Sequence, residues 1–329
     1  MPERKSKSGR GQCRVGVLGG GISSEREISL LSARSVTDAL NRCRIPAVMI
    51  DVDSSDPERM RNLLRKDGIG FVFIALHGEY GEDGQVQRLL GQEKMRYTGS
   101  SPSASARAMD KVCAKEVFQQ HGIYTPRGRV CGDADDIGVY PEFPCVVKPS
   151  RSGSSIGVEI VEEPRGLRPA VERAAAIQKP VLIEEYVPGR EVTVGILGNQ
   201  ALSVIEIIPR QRYYDYRAKY CDEATRFRHA TDLEPERYRE IQDIGLKAHR
   251  VLGCRGFSRV DVRLTNEKIP YVLEVNSIPG FTSHSLLPLS AKYSGIDFDE
   301  LVVQILNQAG YGKETSQTKI SAKKAQNTS

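Results

Sequence analysis

Long apolar runs and paired cysteine motifs are both missing from this 329-residue chain. No run approaches the roughly 18 uninterrupted apolar residues of a membrane-spanning helix, and the polar start MPERKSKSGRGQ lacks the apolar segment of a secretion signal. The seven cysteines stand singly, without the C-x-x-C spacing of zinc or redox sites. We therefore expect a cytoplasmic protein with reduced thiols, several of them buried.

A broad basic surface is also missing, although the formal net charge is +5. Residues 1–14 carry +4 and residues 311–329 carry +3, so the chain between them carries −2. This balance argues against a nucleic-acid-binding face. The polar composition of the tails, residues 1–12 and 312–329, predicts disorder and leaves a weak nucleic-acid or membrane-surface role open for the tails alone.

Between the tails, strands alternate with helices. A strand, RVGVL, runs into Gly19-Gly20-Gly21 and a helix, and two further strands, AVMIDVD and GFVFIAL, flank a second helix. This order predicts an α/β fold with a parallel sheet, whose ligands collect at the carboxyl ends of the strands. The third strand is expected to end at His77.

Later segments predict further domains, since the chain exceeds the usual size of a single core. A Ser- and Ala-rich stretch from Ser101 precedes a helix that begins at Asp110 and ends at Gly122. Strands PCVVKPS, VLIEEYV, EVTVGIL and LSVIEII follow, with one helix near residues 166–176 and another near residues 235–252.

The stretch from Gly256 to Ser285 is the most informative part of the chain. VDVRL and YVLEVN alternate apolar and polar residues around a turn-prone Asn-Glu pair, which predicts a β-hairpin. In a hairpin Asp261 and Glu274 can face the same side, close to Asn276. Such hard oxygen ligands suit Mg²⁺. The alternative is an amphipathic hairpin with a solvated acidic face.

The loop after Lys148, SRSGSSIGV, combines a positive charge at a strand end with small residues whose backbone can approach an anion. It suits phosphate oxygens, because N–H groups and hydroxyls such as that of Ser154 can donate to them. The Walker A pattern G-x-x-x-x-G-K-[ST] is missing. An ordinary surface loop is the alternative.

Near the first glycine turn, Gly19 and Gly21 fit a dinucleotide fingerprint, but its third position falls on Ser24. Glu25 lies at the helix start, where it either caps the helix or binds a cationic amine. His77, in LHGEYGEDG, is either a site residue or a satisfied loop histidine.

Residues 209–231, PRQRYYDYRAKYCDEATRFRHAT, are too polar for a core. Loops of this length are usually functional or disordered. The functional interpretation is a lid that carries Lys219 and Tyr220 over a site from which water is excluded; the alternative is a surface excursion.

Taken together, the ordered motifs resemble D-alanine:D-alanine ligase of the ATP-grasp superfamily, from about Arg14 to Gly310. The motifs are GGGISSEREISL, LHGEYGEDGQVQ, YTGSSPSASARAMDK, VVKPSRSGSSIGV, VLIEEYVPGREVTV, YYDYRAKY, SRVDVRL and LEVNSIPGFTSHSLLP. Arg26 departs from the pattern, which more often has His there. Neither this departure nor the tails touch a position to which the family assigns chemistry.

The resemblance implies an N-terminal parallel α/β domain followed by a two-part ATP-grasp fold. The N-terminal substrate-binding domain would span residues 13–104, the central ATP-grasp subdomain 105–188, and the C-terminal subdomain 189–311 with the lid 209–231. A homodimer is the family's common state.

The resemblance also implies a site for ATP and two Mg²⁺ ions, for which Mn²⁺ can substitute. The implied nucleotide residues are Lys111 and Lys148 on the phosphates, with Ser154 and Lys219 nearby, Glu184, Glu185 and Val187 along the adenine, and Glu191 on the ribose. The implied metal ligands are Asp261, Glu274 and Asn276, with Glu274 shared between the ions.

The implied reaction phosphorylates one D-alanine carboxylate and lets the amine of a second D-alanine attack the acyl phosphate. Donors from Arg259 and the Gly280 N–H would stabilise the oxyanion. The remaining implied roles are Glu25 on the first ammonium, His77 near the first carboxylate, Ser285 with Lys219 on the second carboxylate, His284 in the substrate site, and a Ser154–Tyr220–Glu25 triad that closes the lid.

Two other functions stay open at this point. The first is an ATP-grasp ligase with a different acceptor, such as D-lactate or another D-amino acid; the lid motif YYDYRAKY with Tyr220 favours dipeptide formation. The second is a non-catalytic nucleotide- or nucleic-acid-binding protein, which would be expected to lack the metal ligands that this chain retains.

Overall fold

The computed structural model describes residues 14–66, 68–138, 141–208, 226–282 and 285–311. The described strands are β1 (Arg14–Gly20), β2 (Ala47–Val52), β3 (Ile69–Ile74), β4 (Arg96–Tyr97), β5 (Gly128–Cys131), β6 (Cys145–Pro149), β7 (Glu159–Val161), β8 (Val181–Glu185), β9 (Arg190–Leu197), β10 (Gln200–Ile208), β11 (Arg226–His229), β12 (Phe257–Leu264) and β13 (Pro270–Asn276). The described helices are α1 (Arg26–Arg42), α2 (Pro57–Lys66), α3 (Gln85–Gln92), α4 (Pro102–Met109), α5 (Lys111–Gln120), α6 (Pro164–Ile177), α7 (Pro235–Val251), α8 (Leu286–Tyr293) and α9 (Phe298–Gln308).

The first sheet is parallel, in the order β2-β1-β3-β4, as the alternation of strands and helices predicts. Strand β1 is buried after Arg14 because apolar clusters lie on both faces of the sheet. It leads into α1 through Gly20 and Gly21, whose φ angles of +85° and +96° fall in the region that glycine enters at no steric cost. The turn brings Glu25 to the carboxyl edge of the sheet.

Strand β3 ends at Ile74, three residues before the predicted end at His77. The last sheet contact is the bond from the Ala75 N–H to the Leu18 carbonyl, at 2.9 Å. Beyond it the chain turns away at Gly78, whose φ is +71°. His77 therefore belongs to a loop at the edge of the sheet, not to the strand.

The other two sheets are antiparallel and match the predicted two-part ATP-grasp region. One has the order β5-β8-β6-β7 and is packed against α6; the other has the order β11-β10-β9-β12-β13 and is packed against α7 and α8. The predicted hairpin is β12–β13, in which Asp261 pairs directly with Glu274 and Arg259 with Asn276. Opposite residues of an antiparallel pair share a face, so the hairpin prediction is confirmed.

Three phenylalanines join the parallel sheet to the hairpin region. The ring of Phe73, from β3, lies 5.4 Å from that of Phe281 in an edge-to-face contact and 6.4 Å from that of Phe257. All three side chains are fully buried. Such aromatic contacts fix the distance between the N-terminal sheet edge and the hairpin, where the candidate site lies.

The sequence analysis did not predict eight of the described elements, namely α3, α4, α8, α9, β4, β5, β7 and β11. The Ser- and Ala-rich stretch forms α4, whose start is marked by Ser101, which accepts a hydrogen bond from the Ala104 N–H at 3.3 Å, and by Pro102 in the first turn. Residues 226–229, which were predicted to belong to the lid, instead form strand β11, in which Phe227 pairs with Ile207 of β10. Residues 230–231 of that lid are described and follow β11, whereas residues 209–225 lie outside the described residues, as do both predicted tails.

None of the helices in the described ranges is long and apolar enough to cross a membrane. The described cysteines are all free thiols, and Cys131, Cys145 and Cys254 are buried. Burial raises the pKa of Cys145 and of Cys254 to about 11, which keeps both as unreactive thiols near neutral pH.

Candidate active site

A cavity lies where the carboxyl edge of the parallel sheet meets the β12–β13 hairpin. Nine of the residues singled out in the sequence line it: Glu25, His77, Lys111, Ser154, Arg259, Glu274, Asn276, Gly280 and Ser285. They come from segments more than 200 residues apart in the chain, which only the packing of the three sheets brings together. Their individual roles stay predictions.

Glu25 is buried at the start of α1 and makes no side-chain cap on that helix, so the capping interpretation is wrong. Instead its carboxylate accepts a hydrogen bond from the Ser154 hydroxyl. A Cβ at Gly78 or Gly153 would lie 2.8 Å from Glu25 Oε2, so a larger residue at either position would displace this carboxylate. The Glu25 carboxylate is therefore closely surrounded by Ser154, Gly78 and Gly153 where it lines the cavity.

Ser154 holds its contact with Glu25 from a backbone conformation that is uncommon for a side-chain-bearing residue. Its φ is +51°, and that of Ser155 is +56°. Consecutive left-handed residues outside glycine are sparsely populated and are often found at functional sites. The loop after Lys148 is thus a shaped part of the site, as the phosphate-loop interpretation requires.

His77 is buried, and both of its ring nitrogens have partners within the protein. Nδ1 lies 3.0 Å from the Ile278 carbonyl, and Nε2 lies 2.9 Å from the Ser32 hydroxyl. Nδ1 therefore donates and Nε2 accepts. Burial lowers the pKa of His77, although the nearby Glu25 carboxylate opposes this, so the ring is neutral near pH 7. His77 ties α1 to the loop after the hairpin.

Glu82 is a site residue that the sequence analysis missed. It lines the cavity, is 6% exposed, and accepts a hydrogen bond from the Gly78 N–H at 2.9 Å. Burial, together with the charge of Glu25, raises the pKa of Glu82 to about 8. The sequence feature that could have identified Glu82 as a site residue is its position in LHGEYGEDG, five residues after His77 in a glycine-rich loop. Two acids thus share the end of the cavity where the resemblance places an ammonium group.

The hairpin presents the predicted metal ligands on adjacent strands. Arg259 grips Asp261 with two hydrogen bonds, Nε to Oδ1 at 2.9 Å and Nη2 to Oδ2 at 2.8 Å, and the Thr193 hydroxyl donates to Oδ1 at 2.7 Å. Glu274 Oε2 lies 3.1 Å from Lys111 Nζ. Each acid therefore has a cationic side chain beside it.

This donor set fits Mg²⁺. Two carboxylates and the Asn276 amide oxygen are hard ligands, and Glu274 and Asn276 line the cavity, where nucleotide phosphates and water can supply the rest. Asp261 lies behind them, in contact with Arg259. Within the described ranges, no group of three or more His, Cys, Asp or Glu side chains lies close enough together to hold a metal ion.

A second cluster of charges lies behind the cavity. The buried Glu184 forms ion pairs with Lys148 and with Lys115, the latter at 2.7 Å. Burial alone would raise the pKa of Glu184, but the two ammonium groups outweigh it and hold the pKa below its usual value. Burial and the second ammonium lower the pKa of Lys115 to about 8, although Glu184 opposes this, because one carboxylate balances two cations.

Lys115 was also missed, although its spacing from Lys111 indicates that the two side chains lie near each other. It follows Lys111 by four residues on α5, so the two ammonium groups lie on one face of the helix. Its ammonium donates to the Thr125 hydroxyl at 3.0 Å and to the Pro126 carbonyl at 2.8 Å. Lys115 thereby connects α5 to strand β8, on which Glu184 lies.

The remaining predicted nucleotide residues lie along β8 and β9, outside the cavity lining. Arg263 donates to the Val187 carbonyl at 3.1 Å and to Glu191 Oε2 at 3.3 Å. Glu185 accepts from the Arg127 N–H at 2.8 Å. Val187 and Glu191 are thus both hydrogen-bonded to Arg263. Glu185 is instead bonded to the backbone of the residue that precedes β5.

Ser285 stands at the other end of the cavity, as the N-cap residue of α8. Its hydroxyl accepts from the Thr282 N–H at 2.9 Å, and a side chain at Gly280 would lie 2.7 Å from it. A larger residue at position 280 would therefore displace the Ser285 hydroxyl. The predicted residues Lys219, Tyr220 and His284 lie outside the described residues.

Curated and solved proteins resemble this chain over most of its length. A family model described as D-ala D-ala ligase C-terminus matches residues 133–307. The D-alanine–D-alanine ligase of Syntrophotalea carbinolica is 41% identical over 303 residues, which cover 92% of this chain and 98% of the relative.

Two solved structures have similar folds. The D-alanine–D-alanine ligase from Bacillus anthracis complexed with ATP has a TM-score of 0.77 at 30% identity and covers 90% of this chain and 97% of its own. The VanG D-Ala:D-Ser ligase from Enterococcus faecalis has a TM-score of 0.78 at 27% identity and covers 91% of this chain and 100% of its own.

Proposed function

We propose, because the chain belongs to the D-alanine–D-alanine ligase family, that it joins two D-alanine molecules into D-alanyl-D-alanine and converts ATP into ADP and phosphate. The product is a precursor for peptidoglycan. The observation that carries the proposal is the cavity itself, which is lined by Glu25, Arg259, Glu274 and Ser285, the residues proposed for the first ammonium, the oxyanion, the metal and the second carboxylate.

In the first step, a carboxylate oxygen of D-alanine attacks the γ-phosphorus of ATP and ADP leaves, which gives an acyl phosphate. Glu25 holds the ammonium of this substrate, and Ser154 keeps Glu25 in place. Lys111 and Lys148 balance the phosphate charge. Asp261, Glu274 and Asn276 would hold Mg²⁺, which supplies further neutralisation of that charge. The charges are in place before reaction, so little reorganisation is needed.

In the second step, the amine of the second D-alanine attacks the acyl carbon and phosphate leaves. The carboxylate of this acceptor lies at Ser285, with Lys219 as its predicted partner. The tetrahedral oxyanion accepts hydrogen bonds from Arg259 and from the Gly280 N–H. The paired bonds from Arg259 to Asp261 fix the guanidinium plane, which orients it for this role.

A different acceptor is the second candidate function. The similarity to a D-Ala:D-Ser ligase shows that the same fold is used with an acceptor other than D-alanine. The higher identity to D-alanine–D-alanine ligases, 41% against 27%, favours D-alanine here over D-serine, D-lactate or another D-amino acid.

Several finer features belong to the same proposal. We expect two Mg²⁺ ions with Mn²⁺ as a substitute, a homodimer, a cytoplasmic location where ATP is available, and domain boundaries near residues 104 and 188. Titration of activity with each metal, light scattering on the purified protein and limited proteolysis test these features separately.

One assay tests the central reaction. The purified protein is incubated with Mg-ATP and single D-amino acids, and phosphate release and dipeptide are measured. We expect D-alanyl-D-alanine, ADP and phosphate in equal amounts. Formation of AMP and pyrophosphate would contradict the acyl-phosphate route, and turnover with D-serine or D-lactate in preference to D-alanine would favour the second candidate.

A further inference from the structure

We propose that Phe227 sets the upper size of the acceptor's side chain, an inference that rests on the proposed function. Phe227 lines the cavity together with Ser285 and Leu286. In the sequence, Phe227 falls within the polar segment 209–231 that was predicted to form a lid. The structure places it on β11, at the acceptor end of the site.

The position of Phe227 is fixed by apolar contacts behind it. It pairs with Ile207 across β10–β11 and belongs to an apolar cluster with Ile205, Leu286 and Leu289. Leu286 shares both properties, because it packs in this cluster and lines the cavity. The two side chains therefore form one continuous apolar wall next to Ser285.

Side chains on both faces of β11 make contacts with neighbouring elements, which restrains the position of Phe227. On one face Arg228 Nε bonds to Glu206 Oε2 at 2.5 Å, and Arg228 Nη2 bonds to Asp232 Oδ2 at 3.1 Å. On the face of Phe227, the ring of His229 stacks on Tyr293 at 4.8 Å and bonds to the Tyr238 hydroxyl at 3.0 Å. A fixed wall discriminates by size better than one that can move.

The chemistry of the acceptor explains why this wall meets its side chain. If the carboxylate lies at Ser285 and the amine points to the acyl carbon near Arg259, the third substituent of the α-carbon must point to another part of the lining. On one side of Ser285 the lining is polar, since the Thr282 hydroxyl lies 2.8 Å from that of Ser285; the apolar part of the lining next to Ser285 is formed by Leu286 and Phe227. A methyl group fits against such a wall, whereas a larger group must displace it.

The test is Phe227→Ala, with Leu289→Ala as the matched control. Leu289 packs in the same apolar cluster but does not line the cavity. Each variant is given D-alanine and D-valine with Mg-ATP, and dipeptides are separated by mass spectrometry. Because one or two methylenes are worth about 10- to 200-fold in such pockets, we expect Phe227→Ala to raise D-alanyl-D-valine relative to D-alanyl-D-alanine by at least about tenfold. Leu289→Ala should keep the parental ratio.

Three outcomes would overturn the inference: equal product ratios in the two variants, a Phe227→Ala variant that changes the N-terminal residue of the dipeptide instead, or no gain in Phe227→Leu. The last variant keeps most of the packing and serves if Phe227→Ala does not fold; we expect a gain of a few fold from it. A parent protein that makes no dipeptide from D-alanine would refute the proposed function, and this inference with it. If the parent makes D-alanyl-D-alanine but the variants keep the parental product ratio, only the inference about Phe227 is refuted.

Discussion

The substrate end and the nucleotide end of the site hold their charges in different ways. At the substrate end, Glu25 and Glu82 line the cavity; Glu25 accepts a hydrogen bond from the Ser154 hydroxyl and Glu82 accepts one from the Gly78 N–H. At the nucleotide end, Lys115 and Lys148 are already paired with Glu184.

The contrast implies that ligand binding has a different energetic cost at each end of the site. At the substrate end, an entering ammonium group meets two acids, of which Glu82 has its pKa raised by burial and by the charge of Glu25. Under the proposed function, a nucleotide phosphate shares Lys148 with Glu184, so nucleotide binding should depend on the cluster that holds this carboxylate.

Glu274→Gln should have the largest effect, because it removes a charge from the junction between the two ends. We expect kcat to fall on the order of 100-fold or more, as when electrostatic stabilisation of a phosphoryl or acyl transfer is lost. Steady-state phosphate release measures this. Glu267→Gln, at an exposed position of the same hairpin turn, is the control and should keep parental kcat. Near-parental turnover in Glu274→Gln would refute the metal assignment.

Lys115→Met should weaken the nucleotide end alone. It removes one of two cations from Glu184 and leaves the Thr125 hydroxyl and the Pro126 carbonyl without this donor. A lost charged hydrogen bond of this kind costs about 1.5–3 kcal/mol, so Tm should fall and KM for ATP should rise by about tenfold.

The KM for D-alanine should stay unchanged in Lys115→Met. Lys268→Met is the matched control, because it breaks an exposed ion pair with Glu234 and should leave Tm nearly unchanged. Equal rises in both KM values would show that the two ends are not separable.

Glu82→Gln should change the pH dependence of stability at the substrate end. The folded protein keeps a proton on Glu82 up to a pKa of about 8, whereas the unfolded chain releases it near 4.5. The folded state therefore binds the extra proton between these values, and its stability falls as pH rises through this window, by about 1.4 kcal/mol per unit of pKa shift.

The amide in Glu82→Gln cannot titrate, so the fall in Tm from pH 5 to pH 8 should be smaller than in the parent. Glu79→Gln, at an exposed position of the same loop, should follow the parent. Parallel curves for all three proteins would mean that Glu82 is ionised in the folded state.

The smallest effect on rate is expected from Tyr220→Phe, which falls on a residue outside the described ranges. Loss of one buried hydrogen bond costs about 1 kcal/mol, so dipeptide synthesis should slow but persist. Since D-lactate has no ammonium proton to lose, the variant should gain D-alanyl-D-lactate synthesis near pH 6. The same product ratio as the parent from pH 6 to pH 9 would refute the predicted position of Tyr220.

The fold was largely predictable because its signals are local. Alternating residues in VDVRL and YVLEVN mark the hairpin, and the acid at Asp110 marks the start of α5, where it accepts from the N–H groups of Val112 and Cys113. Strand β11 was missed because Arg226 and Arg228 make it polar. Its two arginines are satisfied only by acids such as Glu206, which lies far away in the sequence.

The candidate site was predictable where motifs and the resemblance name its residues. The resemblance implies the contact between Ser154 and Glu25 as part of a triad with Tyr220, and the structure contains the hydrogen bond from the Ser154 hydroxyl to the Glu25 carboxylate. Lys115 and Glu82 were missed. Their shifted pKa values arise from burial and from neighbours distant in sequence, which no local pattern encodes.

The central claim, that this cavity activates a D-alanine carboxylate by phosphorylation, is tested most directly with D-alanine labelled with ¹⁸O in its carboxylate. Attack of that oxygen on the γ-phosphorus, followed by loss of phosphate to the amine, transfers one labelled oxygen to the phosphate for each dipeptide formed. We expect the released phosphate to carry one ¹⁸O atom, as measured by mass spectrometry. Unlabelled phosphate alongside labelled dipeptide would contradict the account.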